Sequence, residues 1–417
     1  MLKLYEVRMA DFRSIYTRWM ENLLALLYGG LVTMYLLWAW FRGAFRQPRT
    51  RDIPPACLVD PHLGIHRFIK LQNLKLHFVE AGSPQGPLVL MIHGAPDFWF
   101  TWRKQIPTLA NDFWVIAVDL RGCGDSDTPS LRTKYSPSIV AEDIVHLIRI
   151  LGRKNAHLLC AGTGGQIGWH LAYHCPELVS KMVLIHSPHP YVIRQQVRSS
   201  WTNYLRIWYM FFLRLPVLPE IVAQANDSGL IDKMFQPLLK NKSVTEEEIE
   251  AYKFIFSRRE DWIGPLHHLR QLNVNRVSNI EAQPGVITKP TLLVMGDSDP
   301  VLPLDTAYKS AEYVERISIK PLPGTGYSAH VSHAASLNQM IGEFLREMPW
   351  RPLSLLEPSQ PSLVGRVMGA SLAVMSNTYS RTTEALERTR ALQGGLYGMA
   401  QDSLKAAGSS LGLGDMY

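Results

Sequence analysis

Short, mostly apolar runs recur through the middle of the chain, separated by longer stretches of mixed polarity. The runs comprise residues 88–92, 114–118, 157–160, 182–186, 291–295 and 317–320. Apolar runs of this length are typical of strands covered on both faces, and the intervening stretches are long enough to form helices. The pattern predicts an α/β fold with a mostly parallel sheet flanked by helices.

Two runs of a different kind precede this series, at residues 68–71 and 74–79. Apolar and polar residues alternate in both, which is typical of strands with one covered face. Because only a short gap separates them, we expect the two runs to pair as an antiparallel hairpin.

A longer apolar stretch lies near the start of the chain, where residues 22–41 carry no charged side chain. Its length suits a bilayer-crossing helix, and Tyr28, Trp38 and Trp40 lie toward its ends, as interfacial aromatics do. A cleaved signal peptide would have a shorter apolar core nearer Met1, and a buried core helix would show an amphipathic pattern. An interfacial helix would need a polar face. The stretch therefore predicts a single-pass transmembrane helix.

Arginines lie on both sides of this stretch. They are Arg8, Arg13 and Arg18 before it, and Arg42, Arg46, Arg49 and Arg51 after it. The larger number after the stretch favours a cytosolic location for the part of the chain that follows. We expect an anchor in the endoplasmic reticulum or another endomembrane, with the globular domain in the cytosol.

Changes in composition divide the chain into five parts. They are an N-terminal segment at 1–21, the transmembrane helix at 22–41, a Pro- and Arg-rich linker at 42–61, an α/β domain at 62–350 and a tail at 351–417. The tail is rich in Ser, Gly and Ala, which predicts low order or partial helicity. Inside the domain, the gap between the apolar runs at 182–186 and 291–295 is too long for one crossover between strands. Its aromatic and helical patterns predict an inserted cap at about 189–280.

The composition excludes several function classes. The net charge is +7, but the basic residues are spread out and form no Lys/Arg tract, so nucleic-acid binding is not expected. Four cysteines, at 57, 123, 160 and 175, show no paired spacing, so the sequence predicts neither a metal site nor another cofactor. An apolar or lipid-like ligand and a membrane are the expected partners; no pattern indicates a protein partner.

Two Gly-containing loops follow strand candidates. The run at 157–160 continues as Ala161-Gly-Thr-Gly-Gly165 and then as a helical stretch, which is the form of a nucleophile elbow. The residue at its tip is Gly162, which has no side chain to attack a substrate. His93-Gly94-Ala95-Pro96 follows an earlier strand, and such a loop can direct backbone N–H groups at a developing oxyanion.

Several motifs occur together in a recognisable order. They are HGAPDFWFTWR from 93, DLRGCGDSD from 119, GTGGQIGW from 162, AYHCPE from 172 and GDSDP from 296. Their order and spacing resemble those of epoxide hydrolases of the α/β-hydrolase fold over residues 62–350, and the apolar N-terminal stretch resembles that of the membrane-anchored subgroup. The resemblance implies the α/β-hydrolase fold with a helical cap.

The resemblance also implies a set of roles. In the family, an Asp at the elbow attacks the epoxide, a His oriented by a second acid activates water, and two cap tyrosines donate hydrogen bonds to the epoxide oxygen. The matching positions in this sequence are Gly162 for the nucleophile, Asp299 for the acid, Tyr327 for the base, and Tyr209 and Leu269 for the cap tyrosines. The oxyanion-hole backbone corresponds to Ala95 and Thr163.

Three of these roles are lost. Gly162 cannot form an ester, Leu269 cannot donate a hydrogen bond, and a phenol with an ordinary pKa near 10 makes Tyr327 a poor base. Asp299 then has no imidazole to orient, so we expect it to bond loop N–H groups. The sequence predicts a catalytically impaired hydrolase fold that binds an apolar, lipid-like ligand or a partner. The candidate pocket residues are Trp99, Trp208, Tyr209, Phe211 and Phe212.

Two alternatives stay open. In the first, the elbow register shifts by one residue, and Thr163 becomes a hydroxyl nucleophile for ester or epoxide hydrolysis. His330 could then act as the base, or it could be an ordinary surface histidine. Against this shift, Ile167, Trp169 and the segment at 172–177 match the family in the unshifted register. The other alternative is a structural membrane protein with a filled pocket.

Overall fold

The central element of the structure is an eight-stranded sheet. Its strands are β1 (Ile65–Lys70), β2 (Lys75–Ala81), β3 (Leu88–Ile92), β4 (Trp114–Val118), β5 (Ala156–Ala161), β6 (Val179–Ile185), β7 (Thr291–Gly296) and β8 (Ile317–Leu322). All eight predicted strands are confirmed, with ends that shift by at most three residues. The computed structural model describes residues 2–43, 49–272, 285–299, 302–326 and 328–347, without the side chains of 2–18 and 204.

The strands are arranged in the order β1-β2-β4-β3-β5-β6-β7-β8. β1 pairs antiparallel with β2, as the alternating runs predict, and β2 pairs antiparallel with β4. All other pairs are parallel. The sheet is therefore mostly parallel, and the carboxyl ends of β3, β5, β6 and β7 lie side by side at one edge, which is where ligands bind in open α/β sheets.

Helices accompany the sheet along the described chain. They are α1 (Leu2–Phe41), α2 (Ile106–Leu109), α3 (Pro137–Ile150), α4 (Gly165–His174), α5 (Pro190–Arg198), α6 (Trp201–Arg206), α7 (Trp208–Phe212), α8 (Leu218–Lys240), α9 (Glu246–Ile255), α10 (Ile263–Gln271), α11 (Asp305–Ser310), α12 (Ala329–Ser332) and α13 (Ala334–Arg346). Helices α5 to α10 form the insertion between β6 and β7.

The sheet has a hydrophobic core on each face. Alternate residues of a strand point to opposite sides, and β3 shows this directly. Val89 and Met91 belong to the cluster that includes much of the cap, whereas Leu88, Leu90 and Ile92 belong to the cluster beneath α3 and α4. Burial on both faces explains why β3 and β4 have continuous apolar sequences.

The N-terminal helix is longer than the apolar stretch. α1 begins at Leu2, so the segment at 2–21 is part of the same helix. The portion Trp19–Phe41 is long and apolar enough to cross a membrane. The tail at 351–417, the last residues of the predicted domain at 348–350, and residues 273–284, which include the end of the predicted cap at 280, lie outside the described residues.

Candidate functional site

The elbow joins β5 to α4. β5 ends at Ala161, a short turn covers Gly162–Gly164, and α4 begins at Gly165. Gly162 has φ +50°, in the left-handed region where L-residues other than glycine are strained. The tight turn thus has the backbone form of a nucleophile elbow, and the residue that follows the strand contributes no side chain to the site.

A second glycine of the elbow is required by close packing. A Cβ on Gly164 would collide with the backbone carbonyl oxygen of His93 and would lie 2.7 Å from that of Ile92. Glycine here lets the turn approach the end of β3 closely. The elbow and the His93–Pro96 loop therefore pack as one unit, which fixes the position of Thr163 relative to Ala95.

The hydroxyl of Thr163 is bonded to the loop that follows β3. The backbone N–H of Ala95 donates a hydrogen bond to Thr163 Oγ1 over 2.7 Å. Ala95 N–H is one of the two groups expected to stabilise an oxyanion. Because the side chain of Thr163 satisfies this donor, an incoming oxyanion would have to displace it.

Asp299 has a partner that the sequence did not predict. Its Oδ2 lies 2.8 Å from Nε2 of His186, and its Oδ1 accepts a hydrogen bond from the backbone N–H of Leu302, also over 2.8 Å. The expected bond to a loop N–H is therefore present. The expectation that Asp299 orients no imidazole was wrong, because His186 reaches it from the neighbouring strand end.

His186 is placed beside the elbow by strand register. Ala161 of β5 pairs with Ile185 of β6, so the next residues along the two strands, Gly162 and His186, emerge at the same edge. His186 is buried and has φ +51°, an uncommon conformation for a residue other than glycine. The sequence shows a histidine at the end of the run at 182–186, but only the order of the strands in the sheet shows that this histidine lies beside Asp299.

The sequence model of the α/β-hydrolase fold matches residues 87–324. Epoxide hydrolase 4 of Homo sapiens is 32% identical over 363 residues, which cover 81% of this chain and 98% of that protein. The chain belongs to the epoxide hydrolase family of α/β-hydrolase-fold proteins.

Other members of the epoxide hydrolase family support this assignment. Epoxide hydrolase 1 of Caenorhabditis elegans is 31% identical over 286 residues, covering 67% of this chain and 70% of its own length. The crystal structure of Bacillus megaterium epoxide hydrolase with an inhibitor superimposes with a TM-score of 0.61 at 27% identity, covering 67% of this chain and 100% of that one.

The two cap positions of this family member differ in chemistry. Tyr209 lies in α7, and burial raises the pKa of its phenol, with the negative charge of Asp299 as the second cause. Although the residue is 42% exposed overall, its hydroxyl is close enough to the acid to sense its charge. Leu269 lies in α10 and packs against the core that includes the cap. Tyr327, at the base position, lies outside the described residues.

His330 is not a surface histidine. It is buried, and its Nε2 lies 2.7 Å from the hydroxyl oxygen of Thr101. Burial lowers the pKa of its imidazole to about 3. The backbone carbonyl of His330 also accepts a hydrogen bond from Gln105 Nε2 over 2.9 Å. The expectation of an exposed His330 was wrong, because α12 packs it against the segment that follows β3.

The candidate pocket aromatics fall into two groups. Trp99 is buried and packs edge-to-face against Phe100 and His66, so it belongs to the core. Phe211 is buried in a cluster that includes Ala25 of α1. Trp208 and Tyr209 are exposed on α7. Of the five predicted residues, these two remain available to a ligand by exposure.

Proposed function

We propose that this member of the epoxide hydrolase family binds an apolar, lipid-like ligand at a membrane and has lost hydrolysis through a covalent ester. The observation that carries the proposal is Gly162, which follows β5 in the left-handed conformation of an elbow and has no side chain. Covalent catalysis by an elbow needs an attacking atom at this position.

The neighbouring groups support impaired catalysis. Thr163 Oγ1 accepts the hydrogen bond of Ala95 N–H, so the oxyanion donor is already satisfied. A hydroxyl held in this way is turned toward the oxyanion position, whereas a nucleophile must face the carbon that it attacks. Thr163 is therefore disfavoured as an alternative nucleophile, and the same hydrogen bond gives it a structural role.

Support for an apolar ligand comes from the family and from the cap. The human and Caenorhabditis elegans relatives described above, both named epoxide hydrolases, are 32% and 31% identical to this chain over at least two thirds of its length. Tyr209 stands within electrostatic range of Asp299, with Trp208 exposed next to it. Aromatic side chains at Trp208 and Tyr209, together with the polar pair His186–Asp299, suit a ligand with a long apolar part and a small polar group.

Membrane association of this protein is proposed on the basis of α1. Its portion Trp19–Phe41 is long and apolar enough to cross a membrane, and most of its large side chains are exposed. An endomembrane such as the endoplasmic reticulum, with the globular domain in the cytosol, remains the expected location.

The test uses the full chain in detergent–lipid micelles. An isotope-labelled fatty-acid epoxide and a p-nitrophenyl ester are offered to the protein and to its Thr163→Ala variant. We expect saturable epoxide binding, with no diol and no nitrophenol above a protein-free blank. Turnover that Thr163→Ala abolishes would overturn the proposal in favour of an active hydrolase. Absence of saturable binding would favour a structural membrane protein.

A further inference from the structure

The N-terminal end of the apolar part of α1 is bonded to the cap. Arg214, which follows α7, forms an ion pair with Glu21 through Nη1 and donates from Nη2 to Asn22 Oδ1 over 3.1 Å. Glu21 is only 3% exposed. A buried carboxylate of this kind needs its cationic partner, so the contact fixes this end of α1 on the cap.

The contact continues along one face of the helix. Ala25 is buried in a cluster with Val197, Ile207 and Phe211 of the cap. One turn further, the Tyr28 ring lies 5.7 Å from that of Trp208. Residues 21, 25 and 29 recur at a spacing of four, which places them on a single face of α1.

A glycine in this face leaves room for a cap side chain. A Cβ on Gly29 would collide with the end of the Leu215 side chain. Leu215 therefore packs directly against α1 at this position, which extends the contact between the helix and the chain after α7.

The other end of the apolar part is also followed by a bond to the cap. Arg49 donates its backbone N–H to Asp227 Oδ1 over 3.0 Å. Arg51 binds both carboxylate oxygens of Asp227, at 2.7 and 2.8 Å, and donates from Nε to Glu250 over 3.0 Å. Asp227 lies in the kink of α8, so the chain is tied to the cap on both sides of the apolar stretch.

These two ties are incompatible with a bilayer between them. Glu21 and Phe41 are twenty residues apart, so the helix separates them by about 30 Å. The eight residues from Phe41 to Arg49 extend at most about 28 Å, whereas a bilayer with its headgroups is roughly 40–45 Å thick. A chain whose Phe41 had crossed the membrane could not return to bond Asp227 on the side where Glu21 bonds Arg214.

The cap also exposes apolar residues near α1. Fourteen large apolar residues outside α1 are exposed in the described part of the chain. Six of them lie between 201 and 221, and the other eight are spread over the rest. The six are Trp201, Leu205, Trp208, Tyr209, Val217 and Ile221. Trp208 belongs to this set and also contacts Tyr28, so the exposed apolar side chains of α1 and of the cap are continuous. Continuous exposed apolar surface of this kind marks an interaction site.

We propose that α1 and cap residues 201–221 form one surface that lies on a lipid bilayer, with both ends of α1 on the same side of it. The proposal rests on the membrane association proposed above and replaces the crossing helix expected from the sequence. An interfacial helix was disfavoured there because α1 lacks a polar face. The structure removes this objection, because the cap covers the inner face of α1.

The first experiment measures on which side of the membrane the start of α1 and the globular domain lie. Full-length protein in which Cys57 and Cys175 are replaced by Ser receives either Lys3→Cys, before the apolar stretch, or Lys70→Cys, at the exposed end of β1. Sealed microsomes are treated with a membrane-impermeant maleimide, with and without detergent. We expect both positions to react to the same extent without detergent. Reaction of one position without detergent and of the other only with it would overturn the proposal.

Membrane association is measured separately by flotation of the same microsomes. Protein that does not float with the lipid would overturn the proposed membrane association itself. Protein that floats but has its two positions on opposite sides would overturn only the same-side arrangement. The two failures are therefore distinguishable.

The cap part of the surface is tested with a matched pair of variants. Leu205 is 50% exposed in α6, and Ile150 is 55% exposed at the end of α3, on the other face of the sheet. We expect Leu205→Glu to reduce binding of the full chain to phosphatidylcholine vesicles at least threefold, and Ile150→Glu to leave it unchanged. Equal effects of the two variants would contradict a bilayer contact by the cap.

Discussion

Thr163 Oγ1 lies 2.7 Å from the backbone nitrogen of Ala95 and accepts its hydrogen bond. In a working hydrolase of this fold, that N–H is free to bind the oxygen on which negative charge develops. Here it is satisfied inside the protein. Gly162, the first residue after β5 in the same elbow, has no side chain that could supply an attacking atom. The site keeps the fold of a hydrolase with its polar groups bonded to one another.

The hydroxyl of Thr163 is expected to stabilise the fold through its hydrogen bond with Ala95 N–H. Thr163→Val removes the hydroxyl and leaves Ala95 N–H without its partner, whereas Thr163→Ser keeps the hydrogen bond. We expect the valine variant to lose about 1 kcal/mol of unfolding free energy and the serine variant to lose less than half of that. Urea unfolding of the full chain in detergent measures both. An equal loss in the two variants would argue against a structural role for the hydroxyl.

The two elbow glycines are expected to differ in their sensitivity to alanine. Gly162→Ala forces a side chain into a left-handed conformation, which costs about 1 kcal/mol. Gly164→Ala drives a Cβ into the carbonyl oxygen of His93, a backbone atom that cannot turn away, so a loss of about 2–3 kcal/mol is expected. Unfolding curves of the two variants rank them, and the opposite order would contradict the packing of the elbow against β3.

The pair His186–Asp299 is expected to stabilise the carboxyl edge of the sheet. Asp299→Asn keeps an oxygen for the Leu302 N–H but weakens the bond to the imidazole, and His186→Ala removes that bond. A double-mutant cycle built from these changes should give a coupling free energy of about 1–3 kcal/mol. Additive effects, with a coupling near zero, would mean that the two side chains contribute independently.

Asp227 is expected to make the free energy of unfolding depend on pH in the acidic range. Its hydrogen bonds with Arg51 lower the pKa of the carboxyl group to about 2. Because this value is below the ordinary one near 3.9, the bond stabilises the fold above pH 4 or so and is lost as the pH falls toward 2. The loss should be on the order of 1–2 kcal/mol. Asp227→Asn should lack this dependence, and parallel stability profiles from pH 5 to pH 2 would contradict the assignment.

The central strands could be predicted because their apolar runs are buried on both faces of the sheet. Residues 88–92, for example, divide between two cores and leave no polar position in the run. The glycine turn after β5 was predictable for a similar local reason, since φ +50° at Gly162 suits glycine. These features depend on short-range rules that operate within a few residues.

The polar contacts of the site could not be predicted in this way. His186 meets Asp299 only because β6 lies between β5 and β7, and the two residues are more than a hundred positions apart. His330 was expected at the surface as the alternative, yet a long-range contact with Thr101 buries it. The same holds for α1, whose apolar sequence gives no sign of its ion pair with Arg214.

We propose that the elbow has lost covalent chemistry, and intact-protein mass measurement during a single turnover tests this claim. Full-length protein in excess is mixed with a fatty-acid epoxide, quenched in acid and weighed, and the solution is assayed for diol. We predict no mass increase and no diol for the natural chain. Gly162→Asp combined with Tyr327→His should gain an adduct of the mass of the epoxide, because it restores the nucleophile and the base. An adduct or diol formed by the natural chain, at a rate that Thr163→Ala or His186→Ala reduces, would contradict the claim.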